Sequence, residues 1–166
     1  MLYLLDADSL ITSNNVYYPL SRFPSLWQWL IWNGEQGNIK IPIEQFEEIT
    51  AGNDDLVDWI KGTEVKSALL LDEEADPLEV NEITTKGYGD LDETGIETVG
   101  RDPFLISYAG KDKSQRCVVT FETPSKKQGK NRKIPDVCSD LDVNCCTLFE
   151  VINALDFTTN WIAESS

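Results

Sequence analysis

Directly after Met1 the chain reads Leu2-Tyr3-Leu4-Leu5-Asp6-Ala7-Asp8, and this stretch decides how the fold is read. Four apolar residues in a row, stopped by an acid, suit a short central strand buried on both faces, as in a parallel sheet. Working outward, Ile39 to Ile41 reads as a second short strand, Cys117-Val118-Val119 as a third and Val143 to Thr147 as a last one. Helical stretches lie between them. Ser25 to Trp32 is aromatic and apolar on nearly every side, so it is either deeply buried or half committed to a partner surface, and Gly34 and Gly37 are expected to stop it. Pro42 stands where a helix can start, because a first-turn residue needs no amide hydrogen. Ile43, Phe46 and Ile49 then form a stripe that Gly52 closes. Further helices are read over Asp54–Gly62, from Asp102 onward with Phe104, Leu105, Tyr108 and Ala109 on one side, and over Leu148–Leu155; Ile134–Asp140 is a turn or short helix. Strands alternating with helices give an α/β class: one domain over residues 1–166, with a central, mostly parallel sheet of four or five strands flanked by helices.

Composition narrows the chemistry. With 166 residues the chain is one domain's worth, and no apolar run approaches the roughly 20 residues of a membrane helix. The start lacks a basic region and a small-residue cleavage site, so a cytoplasmic protein without a signal peptide is expected. There is no histidine. Ser-His-Asp chemistry, His-based ribonuclease chemistry and the usual His-containing zinc sites are therefore excluded. Cys117, Cys138, Cys145 and Cys146 include no CxxC pair, and Cys145 and Cys146 would point to opposite faces of a strand. They read as reduced, mostly buried thiols.

Carboxylates remain as the chemical groups in excess: 29 acids stand against 14 bases, for a net charge of −15. Residues 72–97 carry ten acids and one base, and the stretch to residue 100 is Gly-rich, so 72–100 reads as an acidic, partly helical, otherwise loop-like excursion. Lys126, Lys127, Lys130, Arg132 and Lys133 crowd into eight residues and form one basic lip on an acidic protein. In an open parallel α/β sheet, sites lie past the carboxyl ends of the strands. Asp6 falls there, with Asp8 two residues on, and so does Glu122 after the third strand. Glu44, Glu47 and Glu48 follow the second strand, and Asp102 starts a helix, where the dipole favours an anion. Carboxylates from four segments can thus meet at one end of the sheet. Such a cluster repels itself, and a hard divalent cation with oxygen ligands relieves the repulsion. A bound metal of this kind can activate water for in-line attack on a phosphodiester.

Several stretches resemble the PIN-domain ribonucleases, including the VapC-like toxins of bacterial toxin–antitoxin pairs, through a less characterised PIN-like subfamily. Tyr3-Leu4-Leu5-Asp6-Ala7-Asp8-Ser9-Leu10-Ile11 resembles the family's opening "LLDTNVLI". Asn15 to Trp29, with Tyr17-Tyr18-Pro19 and Trp27-Gln28-Trp29, resembles the subfamily's aromatic segment. Pro42 to Gly52 is similar to the helix ending "EL" and then Gly, with Glu48-Ile49 in place of that pair. Arg101-Asp102-Pro103-Phe104-Leu105-Ile106-Ser107-Tyr108-Ala109 resembles the "DxxIAxxA" helix. Val118-Val119-Thr120-Phe121-Glu122 resembles the strand ending "VTxD", with Glu in place of Asp, and Lys133-Ile134-Pro135-Asp136-Val137-Cys138 completes the pattern. The likeness spans nearly the whole chain and is weakest over residues 64–100.

The resemblance implies a Mg²⁺- or Mn²⁺-dependent endoribonuclease, the toxin of a type II toxin–antitoxin system, that dimerises and is held by a small antitoxin. It implies catalytic and metal-binding roles for Asp6, Glu48, Asp102 and Glu122. Asp6 and Asp102 would hold the main metal, Glu48 would share it or orient its water, and Glu122 would serve a weaker second position. Thr120 is either a hydroxyl donor to a carboxylate or a β-branched strand residue. Asp8 reads as a helix cap or an outer group of the site, and Asp136 as a turn cap or a site residue. The lip of Lys126, Lys127, Lys130, Arg132 and Lys133 follows Glu122 and would grip RNA phosphates as point charges. Two rivals stand beside this reading. A PIN-like module that no longer cleaves would act through a dimer or antitoxin surface built on the Trp-rich segment. A haloacid dehalogenase-type phosphatase would use Asp6 as nucleophile and Asp8 as acid/base. For the latter, Leu10 stands where Thr or Val is wanted, and Asp140 and Asp142 are poor candidates for its acidic pair.

Overall fold

Leu2–Leu5 forms strand β1, Ile39–Lys40 β2, Arg116–Val119 β3 and Asn144–Cys146 β4 in a computed structural model that describes residues 1–162. Among the described residues these make one sheet in the order β2-β1-β3-β4, and every pairing is parallel. The apolar run of β1 is central because it pairs on both edges. Leu4 and Leu5 are fully buried, as expected for a strand covered on both faces.

Alternation along the strands divides the core in two. Leu5, Val119 and Cys146 point to one side, where they meet Leu10, Leu26, Trp29 and Leu30. Leu4, Val118 and Cys145 point to the other, against Ile106, Tyr108, Val137 and Cys138. The adjacent cysteines thus do part to opposite faces, and all four are free thiols. The first layer is supplied by α1 (Ala7–Thr12), α2 (Pro24–Glu35) and α10 (Leu148–Ala154), with α3 (Ile43–Thr50), α4 (Asp55–Lys61) and α5 (Thr63–Leu69) beside them. The second is supplied by α6 (Pro77–Tyr88), α8 (Asp102–Gly110) and α9 (Ile134–Asp140), and Val99 of α7 (Glu93–Val99) joins it. The Trp-rich α2 is committed to this core on one side: Trp27 and Trp29 are each 1 % exposed, and Trp27 meets Trp59 edge to face at 4.9 Å.

Two expectations are adjusted, and one helix is added. Gly34 does not stop α2, which runs on to Glu35; the turn falls at Gly37, whose φ of +75° suits glycine. Gly34 serves a close approach instead, since a Cβ there would lie 2.7 Å from the Ala68 carbonyl oxygen and 2.7 Å from Leu69 Cδ2 of α5. Residues 72–100 are helical as expected in part, but α6 and α7 take more of the stretch than a mainly loop-like reading allows. Their acids act as helix punctuation: Asp76 caps α6 through the Leu78 N–H, and Asp92 caps α7 through the Gly95 N–H. Helix α5, which no stretch above anticipates, begins directly at Gly62, the residue that also ends α4. Residues 163–166 of the expected single domain lie outside the described residues.

Candidate active site

The strand order sets the place. From β1 the chain crosses to β2 on one side, whereas β3 and β4 lie on the other. Crossovers therefore diverge between β1 and β3, the position where open α/β sheets form a crevice. The register Leu5↔Val119 carries Asp6 and Thr120 side by side into that crevice. The Asp6 N–H donates to the Val119 carbonyl at 2.9 Å, and the Thr120 hydroxyl donates to Asp6 Oδ2 at 2.9 Å. Thr120 is thus a partner of the first carboxylate and more than a strand-former. Ser9 closes the same corner from α1, its hydroxyl donating to the Val119 carbonyl at 3.0 Å.

Asp6, Glu48, Asp102 and Glu122 arrive from β1, α3, the first residue of α8 and the loop after β3, and they feel one another's charge. Burial chiefly pushes the Asp6 carboxyl up to about 7; the Thr120 hydrogen bond pulls the other way, and the charges of Glu48, Asp8 and Glu122 add to the rise. Burial likewise pushes Asp102 up to about 8, with Asp6, Glu122 and Glu48 adding and Lys133 opposing. Glu48 is raised by burial, eased by the Arg101 guanidinium and raised again by Asp8. Desolvation together with like charge is how a pocket of acids comes to hold protons near neutrality.

The other acids are engaged. Glu122 accepts from Lys133 Nζ at 3.2 Å and from the Ile134 N–H at 2.8 Å, so it also anchors the start of α9. Asp8 lies in the first turn of α1 without capping it; its Oδ1 accepts the Thr12 hydroxyl at 2.8 Å. Asp136 accepts the Ser125 N–H at 2.9 Å and pins the basic loop, outside the carboxylate pocket. Glu44 is held by Tyr108 and Glu47 by Arg101. Of the basic lip, Lys133 is tied to Glu122, and Arg132 to Asp140 and the Gly87 carbonyl. Lys126, Lys127 and Lys130 make no ion pair among the described residues.

Sequence reasoning missed the supports of Asp102. Gln45, 1 % exposed on α3, donates from Nε2 to the Arg101 carbonyl at 3.2 Å, and Arg101 in turn donates to the Glu44 carbonyl and pairs with Glu47 at 3.2 Å. These bonds lock the N-terminus of α8 to α3 and set Asp102 relative to Glu48. Polar Gln45 amid the apolar stripe of α3 was the one available signal.

Among the described residues no group of three or more carboxylates or thiols is arranged to hold a metal ion. The chemistry of the donor set nevertheless suits a hard cation. The pocket offers oxygen ligands alone, and Asp6 and Asp102 have raised proton affinities that a positive charge would relieve. Mg²⁺ needs only one or two direct carboxylates, because it keeps several waters.

Fold and site together define an all-parallel α/β domain with a buried Asp6 and a half-buried Asp102 at its topological switch point. A family model described as a domain of unknown function, DUF4411, matches residues 3–159, and the chain belongs to that family. No curated protein and no solved structure matches it. No helix among the described residues is long and apolar enough to cross a membrane.

Proposed function

We propose that this protein is a Mg²⁺- or Mn²⁺-dependent endoribonuclease of the PIN-like kind, the toxin of a toxin–antitoxin pair, working in the cytoplasm as a homodimer restrained by its antitoxin. One observation carries the reading: Asp6 and Asp102, from two distant segments, come close enough at the switch point for the charge of Asp6 to raise the proton affinity of Asp102, with Glu48 and Glu122 acting on both. Asp6 and Asp102 would hold the cation, with Glu48 beside them. A divalent cation supplies the positive charge that activates water and steadies the leaving oxygen. Thr120 engages one Asp6 oxygen and fixes the plane of that carboxylate. Gln45 and Arg101 hold the helix start that presents Asp102. The three unpaired lysines of the loop after β3 supply phosphate contacts.

The test is cleavage of single-stranded RNA by the purified protein in Mn²⁺. Asp6→Asn and Asp102→Asn should each lower the rate at least about a hundredfold. Cleavage that survives either substitution overturns the assignment.

The engagement of Glu122 by Lys133 and the α9 backbone favours a second reading, a PIN-like binding module that no longer cleaves. Titration calorimetry separates the two: a folded protein that takes up no Mn²⁺ supports the binding module. Mn²⁺ uptake that is lost in Glu48→Gln supports the nuclease.

A further inference from the structure

Three segments bring five aromatic rings together beside the carboxylate pocket. Phe121 stands between Thr120, which bonds Asp6, and Glu122. Its ring centroid lies 5.3 Å from that of Tyr17 and 5.0 Å from that of Phe149, and Tyr17 and Phe149 are themselves 5.0 Å apart. Tyr18 joins at 6.3 Å from Tyr17, and Phe23 extends the row at 5.4 Å from Tyr18. Tyr17 is 44 % exposed, Phe149 38 % and Phe23 36 %, which is unusual for large rings in a chain that buries Trp27 and Trp29.

The exposure comes with a fixed frame. Residues Ser13–Tyr17 form a π-turn, closed by the Tyr18 N–H donating to the Ser13 carbonyl at 2.6 Å; such turns are rare and often sit at functional sites. Trp27 Nε1 donates to the Tyr18 carbonyl at 2.8 Å, and the Leu20 N–H donates to the side chain of buried Asn14 at 3.0 Å. The rings meet at angles between 48° and 83°, so none is covered by a flat-stacked neighbour.

A net charge of −15 repels a polyanion in bulk, and two cations of the basic lip are already paired. A surface that takes up nucleic acid under these conditions needs attraction that does not rest on phosphate. Base stacking on aromatic rings supplies it, and it works best with a few cations tracking the backbone. Lys126 and Lys127 stand a few residues beyond Phe121 on the same loop and provide them.

We infer that Tyr17, Tyr18, Phe23, Phe121 and Phe149 form a base-stacking platform that holds unpaired bases of single-stranded RNA next to the carboxylate pocket. The inference rests on the nuclease reading for the identity of its ligand, but its test is independent of cleavage. Fluorescence anisotropy with a short labelled single-stranded RNA, in EDTA so that binding alone is read, should show Tyr17→Ala and Phe149→Ala each weakening binding about tenfold or more. Phe149→Tyr should keep affinity near wild type. An RNA of equal length with its bases removed and its phosphates kept should bind the wild type about as poorly as the intact RNA binds a Tyr17→Ala/Phe149→Ala double variant. Circular dichroism and the melting temperature establish that the variants are folded.

Wild-type affinity in the folded alanine variants overturns the platform, and so does abasic RNA that binds the wild type as tightly as the intact RNA does. A change of mass in analytical ultracentrifugation caused by Phe149→Ala, with RNA affinity unaltered, also overturns it and makes this face a contact between copies of the chain. Cleavage lost in Asp6→Asn while the ring variants bind normally leaves the nuclease reading standing and the platform fallen. Ring-dependent binding without any cleavage by the wild type does the reverse.

Discussion

Asp6 at a strand end and Asp102 at a helix start bring the same functional group as the acids of residues 72–100 into opposite surroundings. In the pocket, burial and neighbouring anions push carboxyls up to about 7 and about 8. In the acidic segment, Glu73 is held below its usual range, chiefly by hydrogen bonds from Arg116 with Lys111 assisting, and exposed Glu82 by Lys86. Asp76 and Asp92 serve as helix caps. Glu73 and Glu82, in the region with most of the charge, therefore have their ionised forms stabilised, whereas Asp6 and Asp102, in the region with less, have theirs destabilised. Placement relative to the switch point of the sheet separates a reactive carboxylate from a structural one, and density of acids along the chain does not.

The largest effect that can break this contrast is the pH dependence of the metal-free protein. Folded pKa values of about 7 and about 8 exceed the ordinary 3.8 of the unfolded chain, so the folded state binds more protons over the interval between them. The stability these two groups contribute is fully present below about pH 4 and is lost as the pH rises through 8. Calorimetry in EDTA should show the melting temperature falling by roughly 5 °C or more between about pH 5 and about pH 8. Mn²⁺ at the upper pH should restore it, and the Asp6→Asn/Asp102→Asn double variant should flatten the curve. A flat wild-type profile would mean that the pocket is not self-repelling.

The acidic segment should give the opposite sign. The lowered pKa of Glu73 makes its stabilisation present above the unfolded value near 4.5 and lost as the pH falls through the lower folded value. Glu73→Gln should therefore cost about 1–2 kcal/mol at neutral pH in chemical denaturation and little in strong acid, because Arg116 loses a charged partner at 2.6 Å. Smallest is the loss of a cap. Asp92→Ala should cost about 1 kcal/mol and leave RNA cleavage unchanged.

Much of the fold was legible because its signals are local. Leu2–Leu5 and Cys117–Val119 are apolar runs that only a doubly covered strand explains, and Asp6, Asp102 and Thr120 follow from strand ends and a helix start. Gly34 was misread because the reason for a glycine there is a helix 34 residues further along the chain, at Ala68. The helices of 72–100 were underestimated because acids and glycines suggest loops, whereas here they punctuate helices. Gln45, Arg101 and Ser9 support the pocket through bonds to distant backbone carbonyls, and such bonds leave no spacing pattern in the sequence.

The π-turn at Ser13–Tyr17 has a consequence for how the molecule tolerates length changes. One extra residue is accommodated there relative to ordinary helical winding. Deleting exposed Asn15 would remove that extra residue, so the backbone could relax to α-helical winding while Tyr17 kept its place against Phe121 and Phe149. A deletion in regularly wound α1 would instead turn the residues after it by about 100° and uncouple Tyr17 from both rings, so the bulge is where this segment can absorb a change of length.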